Sequence, residues 1–373
     1  MFADNLLTVF IDFKSPYAYL AIEPTRQLSR DLGIGIDWLP FVLDIPSYLG
    51  SAKLGSTGEV AQQSRSSDQW SKVKYAYYDC RRYANLRGMT IRGTVKIWDT
   101  NLAAIGMLWA KRQGEEILHR YIDGIYVPFW KRELDVEDFS AIEQVLTAAG
   151  ACTRGFMEYS LETGARENAR IQNDAFGRGI FGVPTYVLGD QVYFGREHLP
   201  RIRWQLQGGV GDAPDVAYEL MPDSRVEKAS VRTLDVGVGL DDLESYLALA
   251  GILELARDLD LPINWYALPK RRGDSQPAGD SRDRGKRHRR YRLDNRHRDQ
   301  RRYMTQHVEP GEIAAGIRAL LEQHDIALGD GEVAASWAGF SSLGGYVGSP
   351  VFRLGEETFV GRQHLPLIRA RLQ

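Results

Sequence analysis

Apolar positions near the start of the chain follow two different periods. Residues 6–13 form a short apolar run with β-branched members, which is typical of a buried strand. Residues 16–32 are predicted to form a helix that begins at Pro16. A proline is tolerated in the first turn, because an N–H at that position would have no partner within the helix. Ile34, Ile36 and Trp38 then alternate with other residues, so a second strand follows. The chain therefore opens with a strand, a helix and a strand.

A helical period replaces this pattern in the middle of the chain. From about 66 to 178, alanine, leucine, glutamate, arginine and aromatic residues recur at helical spacing, with breaks such as Gly150. Residues 185–188 and 192–194 are apolar runs on either side of a Gly-Asp turn, which predicts a hairpin. A last helix is predicted at about 197–206. The order is therefore β-α-β, a helical insertion, and β-β-α.

The same signals return later in the chain. The segment G-V-P-T-Y-V-L-G at 182–189 is echoed by G-S-P-V-F-R-L-G at 348–355. In both copies a second proline follows the first after 16 positions, inside G-R-E-H-L-P at 195–200 and G-R-Q-H-L-P at 361–366. A Tyr-Leu-Ala segment precedes a tryptophan in both copies, by 19 positions counted from the tyrosine. Such a repeat predicts two copies of one fold.

The repeat sets the expected domain boundaries. We predict a first domain at 1–207 with its helical insertion at about 66–178, and a shorter second domain at 230–373 in which the insertion is much reduced. Residues 208–229 between them begin with Gly, Pro and Asp and are predicted to be a linker. The length of 373 residues suits two domains better than one.

Composition narrows the expected partners. The chain has 47 Lys and Arg against 49 Asp and Glu, so as a whole it is not suited to binding a polyanion. The arginine-rich run at 282–302 has the charge to bind nucleic acid, but interspersed aspartates and few aromatics favour a solvated helix. No apolar run near the start is long enough for a signal sequence or a membrane span. We expect a cytoplasmic protein that binds neither nucleic acid nor membrane.

The two cysteines exclude one kind of chemistry. Cys80 and Cys152 are far apart and form no CxxC motif, so they provide no dithiol for disulfide exchange. No His/Cys cluster has the spacing of a metal site, so no bound metal is expected.

The candidate chemistry lies in the segment D-F-K-S-P-Y-A-Y-L-A at 12–21, where the first strand passes into the first helix. Ser15 is expected at the helix N-terminus, where free N–H groups and the helix dipole favour an anion. A thiol has a pKa of about 8.5, and lowering it by two units needs about 2.7 kcal/mol. A hydrogen bond to a charged group offers roughly 1.5–3 kcal/mol, so one serine hydroxyl is about sufficient to hold a thiolate. The alternative is that Ser15 only caps the helix.

Four segments together resemble the glutathione-dependent 2-hydroxychromene-2-carboxylate isomerases and the kappa-class glutathione transferases, which share a superfamily with the DsbA disulfide oxidases. The four segments are 12–21, 74–82, 181–185 and 194–197. The resemblance covers nearly all of residues 5–207 and implies an α/β fold of two tandem thioredoxin-like, DsbA-like domains. Ser15 and Ala18 stand where the redox relatives have cysteines, so disulfide exchange is not expected.

The resemblance also implies a set of glutathione-binding residues. They are Ser15, Pro16, Tyr17, Lys74, Val183, Pro184, Gly195, Arg196 and Glu197. Ser15 would contact the sulfur, and Val183 before a cis-proline would pair its backbone with the cysteinyl part. Glu197 would bind the γ-glutamyl amine, and Lys74 would assist at a carboxylate. The alternatives are a turn conserved for the fold at Val183, a residue that favours a helix N-terminus at Glu197, and a solvated helix residue at Lys74.

The reaction implied by the resemblance is an isomerisation with recycled glutathione. Ser15 would stabilise the thiolate, which adds to an electrophilic carbon of an aromatic-derived substrate; a bond then rotates, and the thiolate leaves. A kappa-type glutathione transferase and a non-catalytic binding protein with a vestigial site are the alternatives. For the assembly we expect a monomer whose halves pack as an internal pseudo-dimer, or a homodimer.

The second copy is expected to be degenerate. Asp242 takes the place of Ser15, Ser349 that of Val183, and Gln363 that of Glu197. A carboxylate at the helix start would repel a thiolate. The signals of the fold therefore persist in this copy while the charges expected of the site are lost.

Overall fold

The computed structural model describes residues 7–55, 60–222, 224–240, 242–268, 310–329 and 348–373. The chain divides into two compact units. The first unit is Met1–Ser64 with Cys80–Ala213, and the second is Arg65–Asp79 with Pro214–Gln373. The sequence did not predict that residues 65–79 belong with the second unit. The arginine-rich run at 282–302 lies outside the described residues.

A four-stranded mixed sheet forms the centre of the first unit. Its strands are β1 (Leu7–Ile11), β2 (Ile36–Pro40), β5 (Thr185–Leu188) and β6 (Gln191–Phe194). The strand order is β2-β1-β5-β6, with β1 parallel to β2 and antiparallel to β5. β1 is buried along its whole length, as its unbroken apolar run predicts. The separate exposed hairpin of β3 (Ala52–Leu54) and β4 (Val60–Gln63) was not predicted.

Helices precede, connect and follow these strands. They are α1 (Pro16–Leu32), α2 (Ile45–Leu49), α3 (Ser67–Leu86), α4 (Asn101–Lys111), α5 (Glu115–Trp130), α6 (Phe139–Ala148), α7 (Phe156–Leu161), α8 (Thr163–Gly177) and α9 (Leu199–Leu206). Residues 67–79 of α3 belong to the second unit. Helix α1 begins and ends at the predicted residues, and Gly33 ends it in the left-handed conformation that glycine adopts at no steric cost. The predicted last helix begins instead with a 3-10 turn at Arg196–His198.

A second mixed sheet forms the centre of the second unit. Its strands are β7 (Leu234–Gly239), β8 (Ile263–Leu268), β9 (Leu328–Gly329), β10 (Val351–Leu354) and β11 (Glu357–Val360). The order is β11-β10-β7-β8-β9, with β7 parallel to β8 and antiparallel to β10. Strands β8, β7, β10 and β11 are thus connected like β2, β1, β5 and β6, and β9 adds a fifth strand.

Three further helices lie in the described part of the second unit, besides residues 67–79 of α3. They are α10 (Leu243–Leu259), α11 (Pro310–Gln323) and α12 (Leu365–Leu372). Helix α10 connects the parallel strands β7 and β8, as α1 connects β1 and β2. Across the described part of the chain, no helix is both long enough and apolar enough to span a bilayer.

Residues from two segments, 65–79 and 214–222, contact residues 360–364 of the second unit. The Tyr75 hydroxyl accepts a hydrogen bond from the backbone N–H of Val360 at 2.8 Å. Nε2 of the buried His364 lies 3.6 Å from Oδ1 of Asp79. The ring of Tyr218, which falls in the predicted linker, packs edge-on against the His364 ring at 5.1 Å between centroids. These contacts explain why residues 65–79 and 214–222 belong to this unit.

Candidate functional site

Ser15 is the N-cap of helix α1. Its backbone is extended, with φ −96° and ψ 114°, and its Oγ accepts the N–H of Ala18 at 3.2 Å. The Ser15 N–H donates to the carbonyl of Asp12 at 3.0 Å, which closes the turn between β1 and α1. A hydroxyl has one donor and two acceptor positions, so capping leaves its proton able to donate to an anion. The side chain lies in a narrow place, since Ser15 is only 5% exposed.

The rest of this turn contains no thiol. Pro16 and Tyr17 in the first turn of α1 are half-buried, and Ala18 is fully buried. Cys80 is buried on α3, and Cys152 is exposed in the loop before α7. Neither cysteine of the chain therefore lies in the turn that presents Ser15.

The expected cis peptide bond is present between Val183 and Pro184. Thr185, the next residue, opens β5 and pairs with Phe10 near the end of β1. The cis-proline and the Ser15 turn therefore lie at the same end of the sheet. Pro184 is fixed by its carbonyl, which accepts the N–H of Gly195 at 2.9 Å. Within the described part of the chain, neither the N–H nor the carbonyl of Val183 takes part in a hydrogen bond.

The Gly195-Arg196-Glu197 segment follows directly on this arrangement. Gly195 has φ +105°, and a Cβ there would collide with the Glu197 carboxylate, so both backbone angle and space require glycine. Glu197 is half-buried in the 3-10 turn. Arg196 lies in the interior, 2% exposed, with its guanidinium carbon 4.6 Å from the centre of the Tyr83 ring.

Lys74 is the predicted site residue that the first unit does not contain. It lies on α3 within residues 65–79, which belong to the second unit, and its side chain is exposed. The first unit therefore contains Ser15, Pro16, Tyr17, Val183, Pro184, Gly195, Arg196 and Glu197, without Lys74.

A buried charge network beside Ser15 was not predicted. Oδ1 of Asp12 accepts the Thr100 hydroxyl at 2.6 Å and the Lys14 N–H at 3.3 Å. Oδ2 of Asp12 accepts the N–H of Leu43 at 2.7 Å and lies 3.7 Å from the Lys14 ammonium. Asp12 and Lys14 are 3% and 7% exposed. The signal was visible in the sequence, because a charged pair next to a buried strand must be paired and hydrogen-bonded in the fold.

Two further contacts hold this network. The Lys14 ammonium donates to the carbonyl of Trp98 at 3.2 Å. The Tyr126 hydroxyl donates to the Asp12 carbonyl at 3.0 Å, and the Tyr126 ring stacks on Tyr19 at 4.9 Å between centroids. Burial, with a smaller contribution from the negative charge of Asp123, raises the pKa of Tyr19 to about 12. Helices α1 and α5 and the loop before α4 therefore all contact the turn that presents Ser15.

The second unit has a carboxylate at the corresponding place. Asp242 is the N-cap of α10, and its Oδ2 accepts both the Ser245 N–H at 2.8 Å and the Ser349 hydroxyl at 2.7 Å. Ser349 precedes a second cis-proline, Pro350, whose carbonyl accepts the N–H of Gly361 at 2.8 Å. The backbone around Ser15 and the backbone around Asp242 are thus arranged in the same way, but the helix of the second unit begins at a carboxylate.

Among the residues that the structure describes, no group of three or more His, Cys, Asp or Glu side chains is arranged to hold a metal ion.

Two curated 2-hydroxychromene-2-carboxylate isomerases are similar to this chain over about half of its length. The one from Sphingobium xenophagum is 26% identical over 193 residues, 51% of this chain and 92% of the relative. The one from Pseudomonas putida is 24% identical over 196 residues, 52% of this chain and 90% of the relative. A solved 2-hydroxychromene-2-carboxylate isomerase structure aligns with TM-score 0.41 and 21% identity, covering 55% of this chain and 93% of that one.

The match to a family model extends over more than half of the chain. Residues 6–207 match the model described as a DSBA-like thioredoxin domain. The matched range includes the Ser15 turn, the helical insertion and the cis-proline hairpin. The chain therefore belongs to the DSBA-like thioredoxin domain family.

Proposed function

We propose that the first unit is a glutathione-dependent isomerase of the 2-hydroxychromene-2-carboxylate type, and that Ser15 holds the glutathione thiolate. The observation that carries this proposal is the Ser15 hydroxyl, which caps α1 and keeps a proton to donate. The names of the similar curated proteins support the reaction type. The absence of any cysteine from the turn argues against disulfide exchange by this site.

Three features of the first unit support the proposal that it binds the tripeptide. The backbone N–H and carbonyl of Val183 have no hydrogen bond within the described residues, so they can pair with an extended peptide. The half-buried Glu197 carboxylate can bind an ammonium group. Ser15 and the start of α1 favour an anion. When bound, glutathione supplies a thiolate nucleophile for an electrophilic, aromatic-derived substrate.

The energetic demand on Ser15 is modest. Lowering a thiol pKa by two units corresponds to about 2.7 kcal/mol. One hydrogen bond to a charged group gives roughly 1.5–3 kcal/mol, and the helix N-terminus adds about 0.3–1 kcal/mol. Because Ser15 caps α1, its hydroxyl and the helix N-terminus would act on the same sulfur. The role of Lys74 rests on the family resemblance alone, because the residue is exposed and outside the first unit.

We propose that the second unit is a degenerate copy of the same domain. Its strands β7, β8, β10 and β11 share the connections of the first sheet, and its cis Ser349–Pro350 bond matches cis Val183–Pro184. The Asp242 carboxylate stands where the copy would need to bind an anion, and it accepts two hydrogen bonds itself. This unit is therefore proposed to support the fold without binding glutathione.

A second candidate function is a non-catalytic binding protein. The observation that favours it is the 5% exposure of Ser15, which leaves little of the hydroxyl open to a bulky substrate. A kappa-type transferase would use the same thiolate and would differ in releasing a product that keeps glutathione attached.

Calorimetric titration with glutathione and turnover of 2-hydroxychromene-2-carboxylate test these candidates together. We expect wild-type protein to bind glutathione and to isomerise the substrate only when glutathione is present. Ser15→Ala should lower kcat/KM roughly ten- to a hundredfold, because it removes one charge-assisted hydrogen bond. Asp242→Ser is the matched control and should leave turnover unchanged, since serine also caps a helix.

Each other outcome decides between candidates. A wild-type protein that does not bind glutathione contradicts the glutathione proposal. Binding without turnover supports the non-catalytic candidate, and a conjugated product supports the transferase. Full activity in Ser15→Ala contradicts the role of Ser15.

A further inference from the structure

The Asp12 carboxylate is an unusual neighbour for a site that must hold an anion. It lies three residues before Ser15, and the backbone of the two residues is joined by the Ser15 N–H to Asp12 carbonyl bond. Asp12 is 3% exposed, so water does little to screen its charge. An uncompensated negative charge at this place would oppose a thiolate at the start of α1.

The same carboxylate joins three separate segments. It accepts the N–H of Leu43 in the loop after β2, the hydroxyl of Thr100 just before α4, and the N–H of Lys14 in the turn itself. Leu43 and Thr100 are 31 and 88 positions away from Asp12 in the sequence. The network therefore joins the turn between β1 and α1 both to the loop after β2 and to the loop before α4.

Lys14 supplies the positive charge of the network. Its ammonium lies 3.7 Å from Oδ2 of Asp12 and donates to the Trp98 carbonyl at 3.2 Å. Beside this pair lies the titratable Tyr126, whose hydroxyl donates to the Asp12 carbonyl at 3.0 Å. Burial, with smaller contributions from the charges of Asp12 and Tyr19, raises the pKa of Tyr126 well above its ordinary value, so it stays neutral.

We propose that Lys14 is a positioning residue that cancels the charge of Asp12, so that Asp12 can join the three segments without weakening the anion site at Ser15. This inference deepens the proposed function and rests on it. It assigns to the pair an electrostatic effect on the sulfur as well as a structural one. The second unit is consistent with this division, because its counterpart of Asp12 is Gly239 and its cap is itself a carboxylate.

An introduced thiol reports the electrostatics of the site without any ligand. The probe is Ser15→Cys in a Cys152→Ser background, with the thiol pKa read from the pH dependence of its alkylation rate. In the probe protein we expect a thiol pKa below the ordinary value of about 8.5. Adding Lys14→Met should raise it by about one unit, because the Asp12 charge is then uncompensated.

Two further variants separate charge from packing. Lys14→Arg keeps the charge and should restore the low thiol pKa. Asp12→Asn with Lys14→Met removes both charges and should also restore it. The asparagine can accept the Leu43 N–H and donate to the Thr100 hydroxyl, so the joined segments keep two of their contacts. A purely structural Lys14 would leave the thiol pKa unchanged in every variant that folds.

The outcomes distinguish this inference from the proposed function. An unchanged thiol pKa in Lys14→Met overturns the inference, whatever the protein does with glutathione. If Lys14→Met alone does not fold, an unaltered thiol pKa in the folded Asp12→Asn variant, in which Lys14 is left uncompensated, overturns it instead, since a decrease of about one unit is expected. A shift of the introduced thiol without glutathione binding by the wild type supports the inference and contradicts the proposed function.

Discussion

The first helix of the first unit begins at a neutral serine, whereas the corresponding helix of the second unit begins at a carboxylate. Both residues cap their helix by accepting the N–H three residues further on, at 3.2 Å for Ser15 and 2.8 Å for Asp242. Asp242 also accepts the hydroxyl of Ser349 from the cis-proline loop. In the second unit, the hydrogen bond from Ser349 to Asp242 thus connects the cis-proline loop directly with the start of the helix.

The position of one negative charge accounts for the difference. In the first unit the carboxylate is Asp12, at the end of the strand, where Lys14 compensates it. In the second unit Gly239 takes that place, and the carboxylate is in the cap. The comparison teaches that the same backbone can offer or withhold an anion site, depending on whether its own carboxylate already occupies the helix start.

The largest effect is expected when the cap of the second unit is placed in the first. Ser15→Asp should keep α1 capped, because aspartate caps a helix as well as serine does, but burying a second carboxylate near Asp12 should lower the free energy of unfolding. It should abolish measurable glutathione binding, because a buried carboxylate repels the thiolate. Calorimetry and thermal unfolding on the same sample check both expectations.

The outcome that breaks this comparison is specific. If Ser15→Asp still binds glutathione with wild-type affinity, the charge of the cap does not distinguish the two units. Loss of binding together with loss of folding is separated by Ser15→Asn, a neutral cap of the same size, which should fold equally well.

An intermediate effect is expected at the glycines before the two 3-10 turns. Gly195 and Gly361 have φ of +105° and +96°, and a Cβ would collide with Glu197 or Gln363 respectively. Alanine at either position should destabilise its unit by about 1–3 kcal/mol. Hydrogen exchange measured peptide by peptide locates the loss in the affected unit, and only Gly195→Ala should also weaken glutathione binding.

Gly189 provides the matched control for this strain. Its φ is +60°, but nothing lies within 4 Å of the place where its Cβ would be. Gly189→Ala should therefore cost only about 1 kcal/mol, from the left-handed backbone alone. Equal losses at Gly189 and Gly195 would show that the contact with Glu197 is energetically unimportant.

The smallest effect on stability is expected at the ion pair between Arg362 and Asp215 in the second unit. Arg362 donates to both Oδ atoms of Asp215 at 2.9 Å and also to Glu244. The Asp215 side chain is 57% exposed, so Asp215→Asn should reduce stability by less than about 1 kcal/mol. Chemical denaturation monitored by the fluorescence of the tryptophans checks this, and a larger loss would show that Asp215 fixes residues 214–222 to the second unit.

Local sequence patterns were sufficient for much of the fold. The apolar run of β1 and the proline at the start of α1 concern residues close together in the chain, and the structure confirms the strand and the helix that they predict. The same holds for the position of Ser15 at the start of α1, because a strand that ends just before Ser-Pro leaves few alternatives. The hairpin of β3 and β4 was missed, since both strands are short and β4 is exposed along its whole length, so no alternation of buried and exposed positions marks it.

Contacts between distant segments required the tertiary structure. The sequence shows that Asp12 and Lys14 are charged and adjacent to a buried strand, but not that Leu43, Thr100 and Trp98 satisfy them. It likewise does not show that Lys74 belongs to the second unit. The physical reason is that periodicity and capping depend on neighbours within a few residues, whereas a buried charge is satisfied by whichever segment the packing of the whole unit brings to it.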